Sequence, residues 1–177
     1  MRTAYIGMGG NLASRAGAPE ATLAAATLRL ESLGRVPHRS SLYNTEPIGF
    51  AAQPRFVNAV VALETELGPR ELLDYLLAIE KEFGRDRAAG VVNGPRTLDL
   101  DILLLGELEI SEPGLEIPHP RLAERAFVLV PLCEIAAGVL VPGSEVSVTQ
   151  LLASLLGGSK DAFDTVVRLP FDSWDAR

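Results

Sequence analysis

The chain reads as an α+β sandwich, on three observations. Segments with side chains alternating at period two, such as 56–63, are interleaved with helix-period stripes such as Leu72, Leu76, Ile79 and Phe83. Glycine or proline punctuates most of the junctions between them. No repeat, low-complexity tract or linker divides the 177 residues, a length that suits a single domain over 1–177 with a sizeable core of its own. Strands alternating with helices and short hairpin-like segments pack as a sheet covered by helices.

Residues 3–8 form the first expected strand, ending in the turn Gly7-Met8-Gly9-Gly10. No third glycine follows at the spacing a dinucleotide fingerprint requires, so these glycines serve a tight turn or a close backbone approach to a ligand. Pro19 and Glu20 are first-turn residues of a helix. Its apolar stripe is Leu23, Ala26, Leu30 and Leu33, and Gly34 ends it. Residues 38–44 and 55–66 are the next two strands, joined by a loop of glycine, proline and small residues that is expected to be mobile. In the second of these strands Phe56, Asn58, Val60 and Ala62 share one face, and Val57, Ala59, Val61 and Leu63 share the core face.

Gly68-Pro69 begins a helix whose stripe is Leu72, Leu76, Ile79 and Phe83. Glu80 borders that stripe, so it either reaches solvent or binds something polar. The loop 84–97 follows, also expected to be mobile, and then an acidic strand. Residues 122–136 read as a helix. Ser147 or Thr149 caps a short helix closed by Gly157-Gly158, and 164–171 reads as a last strand.

Composition narrows the function. A formal net charge of −7 disfavours nucleic acid and anionic membranes as partners. Cys133 is the only cysteine, so no intrachain disulfide forms, and its apolar surroundings suggest an inert buried thiol. No signal peptide or bilayer-length apolar run is present, so a cytoplasmic, monomeric enzyme is expected.

The chemistry concentrates in Asn93-Gly94-Pro95-Arg96-Thr97-Leu98-Asp99-Leu100-Asp101-Ile102. Gly-Pro punctuates and a strand follows. Asp99 and Asp101 then share one face with backbones roughly 6–7 Å apart, while Leu98, Leu100 and Ile102 point into the core. Buried carboxylates without partners are costly, and oxygen ligands of this kind suit Mg²⁺ with substrate phosphates. Around them lie Arg85, Arg87, Arg96, Arg121 and Arg125, a set suited to clamping a polyanion. An edge strand with a solvated acidic face, and arginines paired to surface acids, is the plainer alternative.

The run Gly94-Pro95-Arg96-Thr97-Leu98-Asp99-Leu100-Asp101-Ile102-Leu103 resembles the hallmark of 6-hydroxymethyl-7,8-dihydropterin pyrophosphokinases of folate biosynthesis. Tyr5-Ile6-Gly7-Met8-Gly9-Gly10-Asn11-Leu12, Ser41-Leu42-Tyr43-Asn44-Thr45-Glu46-Pro47-Ile48-Gly49, Gln53-Pro54-Arg55-Phe56-Val57-Asn58 and Ile117-Pro118-His119-Pro120-Arg121 match the same family in order. The resemblance implies a ferredoxin-like sandwich with a mainly antiparallel sheet flanked by helices. It implies transfer of pyrophosphate from ATP to the pterin hydroxymethyl group, with AMP released and two Mg²⁺ ions held by Asp99 and Asp101. Arg85 and Arg96 would join the two aspartates as catalytic residues. Glu80, Arg87, Ile102, His119 and Arg125 would bind ATP. Gly9, Thr45, Ile48, Phe56, Asn58 and Phe127 would bind the pterin, the two phenylalanines stacking on its ring and the Asn58 amide reading its edge.

The chain departs from the family pattern at several positions. Asn93 replaces a usual tryptophan, Leu77 a frequent glutamine and Glu46 a frequent proline, and 88–92 lacks the usual basic stretch. Two rivals remain at the level of sequence: a metal-dependent phosphohydrolase, and a non-catalytic ferredoxin-like ligand-binding domain.

Overall fold

The computed structural model describes residues 1–47, 49, 52–87, 94–158, 165–170 and 174. Strand β1 (Arg2–Gly10) leads into helix α1 (Pro19–Leu30) and a 3-10 turn (Glu31–Leu33). Strands β2 (Arg35–Arg39), β3 (Tyr43–Thr45) and β4 (Phe56–Thr65) precede helix α2 (Pro69–Glu82). Strand β5 (Asp99–Leu105) is followed by β6 (Ile110–Glu112), β7 (Leu115–Ile117), a 3-10 turn (Leu122–Glu124), α3 (Ala126–Ala136), α4 (Val148–Gly158) and β8 (Val166–Arg168).

The main sheet runs β5-β1-β4-β3-β8, with β2 also paired to β4, and β6 and β7 form a separate hairpin. Every named ladder among the described residues is antiparallel. Helices α1 and α2 cover one face, where Leu23, Leu30, Leu72 and Leu76 pack on Ile6, Val61, Leu63 and Leu100. Helices α3 and α4 cover the other, where Leu129, Leu132 and Val148 pack on Val60, Leu103 and Leu104. Each fully buried leucine contributes about 1.5–3 kcal/mol through area removed from water. Two covered faces explain why β4 is buried on both sides, although its sequence suggested a core face and a ligand face. A bulge in β5 opposite Tyr5 and Ile6 turns Leu103 and Leu104 towards α3 while Ile102 and Leu105 stay under α1 and α2.

Several boundaries differ from the sequence expectation for physical reasons. The strand expected over 38–44 is two strands, because Ser40 takes the partners that would continue the ladder. Its N–H donates to Val60 O (2.9 Å) and its Oγ accepts from Val60 N (3.0 Å). The helix expected over 122–136 is interrupted at Arg125, whose extended backbone (φ −117°, ψ 102°) starts α3 afresh. The β6–β7 hairpin was not anticipated, although Pro113-Gly114 marks its turn and Gly114 has φ +74°. Of the last expected strand, residues 165–170 are described, and only Val166–Arg168 among them form a strand, β8. Cys133 is only half-buried, with Sγ 3.6 Å from Thr149 Oγ1. Ser147 does cap α4: Gln150 N donates to its Oγ (3.3 Å), and Ser147 N donates to Gln150 Oε1 (2.8 Å).

One cluster fixes the β3 edge. Glu134 of α3 accepts from Ser41 N (2.8 Å), Ser41 Oγ (2.8 Å) and Tyr43 Oη (3.0 Å), and Arg168 of β8 pairs with it at 3.2 Å. Burial first, and then the Glu134 carboxylate, pushes the Tyr43 hydroxyl up to about 12.

Candidate active site

The register of three central strands builds the floor of the site. Gly9 of β1 lies opposite Asn58 of β4 on one side and Asp99 of β5 on the other. Gly7 likewise separates Val60 from Asp101. Having no side chain, Gly9 leaves room for the Asn58 amide, and a β-carbon there would stand 2.5 Å from Asn58 Oδ1. The turn glycines expected from sequence are thus a close-approach surface inside a strand. Gly10 serves the same end one residue on, since a β-carbon there would collide with the Thr97 carbonyl oxygen.

Above this floor is a cavity of about 300 Å³. One wall carries Thr45, Phe56, Asn58 and Phe127. The rest of its lining carries Asp99, Asp101, His119 and the arginines Arg85, Arg87, Arg96, Arg121 and Arg125. Asn58 is 7% exposed and donates from Nδ2 to Thr45 Oγ1 at 2.7 Å, so its amide is held at a fixed orientation. Phe56 has the Arg96 guanidinium stacked on it at 4.7 Å, and Phe127 has that of Arg125 at 5.7 Å.

Asp99 sits among three guanidinium groups, with Arg96 at 3.0 Å, Arg85 at 3.4 Å and Arg87 at 3.8 Å. The Arg96 Nε–H points off the Asp99 oxygen, so that contact is an ion pair without a hydrogen bond, and Nε is left without a protein acceptor. Asp101 is different. Burial, reinforced by the neighbouring Asp99 charge, raises its carboxyl to about 6, and Arg125, Arg87 and Arg96 only partly offset this. Burial, rather than any shortage of positive charge, thus disfavours the ionised Asp101, and the two carboxylates set hard oxygen donors at one spot. Among the described residues no third His, Cys, Asp or Glu joins it. Two carboxylates with room for water and phosphate oxygens fit Mg²⁺.

Burial, then Arg125 and Arg121, lowers the His119 pKa, so its imidazole is neutral at pH 7. Its Nδ1 accepts the Arg121 backbone N–H at 3.1 Å, which places the ring proton on Nε2 as a donor. A second groove adjoins the cavity and shares Arg87, Asp101 and His119 with it. Leu73, Leu77, Ile102 and Leu115 give this groove an apolar surface.

The structure brings most of the sequence-derived residues together, but not all in the same way. Thr45, Phe56, Asn58, Arg85, Arg87, Arg96, Asp99, Asp101, His119, Arg125 and Phe127 line one cavity, and Gly9 lines the recess beneath it. Ile102 lies in the adjoining groove. Glu80 stands behind the wall at 1% exposure, accepting from Leu100 N and from both Nε and Nη2 of Arg87, each at 2.8 Å. Ile48 lies outside the described residues, as do Asn93 and 88–92, so the mobility expected of 45–54 and 84–97 falls partly beyond them. Two cavity residues lie outside the site set the family resemblance implied: Arg121, noted from sequence only as one of the surrounding arginines, and Glu46, which pairs with Arg55. Sequence reading also passed over Asn11, whose isolated amide after a glycine turn gives no local signal.

Known proteins resemble this chain in sequence and in fold. The sequence profile of the 7,8-dihydro-6-hydroxymethylpterin-pyrophosphokinase family matches residues 5–137. A 2-amino-4-hydroxy-6-hydroxymethyldihydropteridine pyrophosphokinase of Pseudomonas aeruginosa is 43% identical over 171 residues, covering 94% of this chain and 96% of the relative. The enzyme of the same name from Haemophilus influenzae is 44% identical over 154 residues, covering 86% and 92%. A crystal structure of Plasmodium falciparum HPPK-DHPS superimposes with a TM-score of 0.69 over 95% of this chain. At 14% identity that likeness speaks to fold alone, and this chain spans 47% of the Plasmodium chain.

Proposed function

Because the chain belongs to the 7,8-dihydro-6-hydroxymethylpterin-pyrophosphokinase family, we propose a division of its cavity between two substrates. The protein transfers pyrophosphate from ATP to 6-hydroxymethyl-7,8-dihydropterin, giving the pterin diphosphate and AMP in folate biosynthesis. In our assignment the pterin ring lies between Phe56 and Phe127 and the Asn58 amide, fixed by Thr45, reads its edge. The adenosine end of ATP occupies the apolar groove of Leu73, Leu77, Ile102 and Leu115. The phosphates then cross towards His119, Arg87, Arg125, Arg85 and Arg96.

Two Mg²⁺ ions bound with ATP would be held by Asp99 and Asp101 and would supply charge neutralisation at the β-phosphate. The arginines orient the phosphate tail, and His119 donates from Nε2. The pterin wall places the hydroxymethyl oxygen towards the β-phosphorus. That oxygen forms the new P–O bond, the bond between the β-phosphorus and the α–β bridging oxygen breaks, AMP leaves with that oxygen, and the hydroxyl proton is released. Glu80 acts from behind by holding Arg87.

The observation that carries this reading is the row Asn58–Gly9–Asp99. It sets the heterocycle-reading amide and the carboxylate pair on either side of a floor without side chains. A cytoplasmic location and a monomeric state belong to the same proposal. Among the described residues no helix is long and apolar enough to cross a membrane, and sedimentation tests the oligomeric state. The central test is AMP release from Mg²⁺–ATP with and without the hydroxymethyl-dihydropterin. AMP formed only with the pterin supports the assignment. Pterin-independent release of AMP or phosphate would point to a metal-dependent phosphohydrolase.

A further inference from the structure

Asn11, the residue after β1, is 5% exposed and its side chain joins two segments distant along the chain. Its Oδ1 accepts the Arg96 backbone N–H at 2.8 Å. Its Nδ2 donates to Gln53 Oε1 at 3.0 Å and to Pro54 O at 2.9 Å. Its own backbone N–H and that of Leu12 both donate to Arg96 O, at 2.9 and 3.1 Å. Residues 53–54 lead directly into Phe56 at the start of β4. Arg96 is the guanidinium that stacks on Phe56 and pairs with Asp99.

We propose that Asn11 is a positioning residue for this reaction, its amide acting as a strut that fixes the entry to β4 relative to Arg96. The proposal rests on the assignment of the Phe56 wall to the pterin and the Arg96 wall to the phosphates. The donor end of the amide governs where the pterin wall stands, and the acceptor end governs where Arg96 stands. No other side chain of this size supplies both ends. Aspartate accepts but does not donate, alanine does neither, and glutamine is one methylene too long for the gap. A buried polar group with three satisfied bonds is costly to misplace, and a small displacement of aligned reactants costs rate steeply.

The two ends can be cut separately. Asn11→Asp keeps the acceptor for Arg96 N–H and removes both donors, setting a carboxylate against the Pro54 carbonyl. It should raise the KM for the pterin on the order of tenfold, as expected for about one to two net hydrogen bonds, with the KM for ATP changed less than twofold. Asn11→Ala should add to this a fall in kcat of about tenfold or more, because Arg96 is then also released. Gln53→Ala cuts the donor strut from its loop end without touching the buried position. It should shift the pterin KM the same way by about threefold, and it serves alone if the Asn11 variants do not fold. A purely structural role predicts lowered Tm with both KM values moving together or neither moving, and either pattern overturns the proposal. Wild-type kinetics in Gln53→Ala and Asn11→Asp overturn it as well. Wild-type protein that fails to release AMP in response to pterin sinks the substrate assignment itself, which separates that failure from failure of the Asn11 role.

Discussion

Gly9 faces Asn58 across the β1–β4 ladder so closely that any β-carbon at Gly9 would displace the Asn58 amide from the position where it bonds Thr45. The constraint is one of space, since Gly9 lies within an ordinary strand. Gly9→Ala should therefore raise the pterin KM by about tenfold or more while leaving ATP binding nearly unchanged. Overpacking at such a site costs about 1–3 kcal/mol. Calorimetric titration of each ligand against the variant decides it, and equal losses for the two ligands would refute the placement of Asn58 at the pterin edge.

Asp99 and Asp101 should be indispensable to turnover and dispensable to folding. Replacing either by alanine removes a ligand for substrate-bound cations, and replacing Asp99 also takes the carboxylate partner from Arg85 and Arg96. We expect kcat to fall by about 10³-fold or more, with far-ultraviolet dichroism close to wild type. Near-normal rates in both single variants at limiting Mg²⁺ would exclude the carboxylates as metal ligands.

Asp101 also sets a pH dependence of stability in the ligand-free protein. Its carboxyl lies at about 6 in the fold, mainly through burial, against an ordinary value near 3.8. Between those values the folded chain holds a proton that the unfolded chain has lost, so folding stability falls as pH rises from about 4 to about 6 and stays lower above. Asp101→Asn cannot ionise. In chelator, its Tm should gain on the wild type as pH rises across that window, with little difference below pH 4. A constant offset at all pH values would show that the Asp101 charge is not the cause.

Much of the site was legible in the sequence because its signals are local. The period of two puts Asp99 and Asp101 on one face, and likewise Phe56 and Asn58, wherever the strands sit. The helical stripes of α1 and α2 were equally plain. What stayed hidden depends on partners distant along the chain. The break at 40–42 needs Val60, the close approach at Gly9 needs both Asn58 and Asp99, and the role of Asn11 needs Gln53, Pro54 and Arg96. Glu80 shows the limit most clearly. Sequence left it between solvent and a polar ligand, and the answer is a backbone N–H on β5 together with a guanidinium seven residues on.

That buried carboxylate gives the last prediction. Burial raises the Glu80 pKa, and the bonds from Leu100 N and Arg87 draw it back down, so the group is an anchored acid whose worth lies in what it holds. Glu80→Gln keeps one acceptor oxygen for Leu100 N but offers Arg87 no bidentate partner. Glu80→Ala orphans a buried N–H as well. Losing a buried partner of this kind costs about 2–3 kcal/mol for the alanine variant, less than a fully enclosed ion pair because Arg87 is itself half exposed. For a chain of this size that is a Tm lower by roughly 4–12 °C. The glutamine variant should retain more than half of that stability while its KM for ATP rises about threefold to tenfold, through an Arg87 no longer fixed at the cavity wall. The pterin KM should hold within about twofold in both variants. If Glu80 instead touched the nucleotide directly, Arg87→Ala in the Glu80→Gln background would worsen ATP binding as much as it does in the wild type. If Glu80 acts through Arg87, the double variant should be little worse than Arg87→Ala alone, and this cycle distinguishes the two roles.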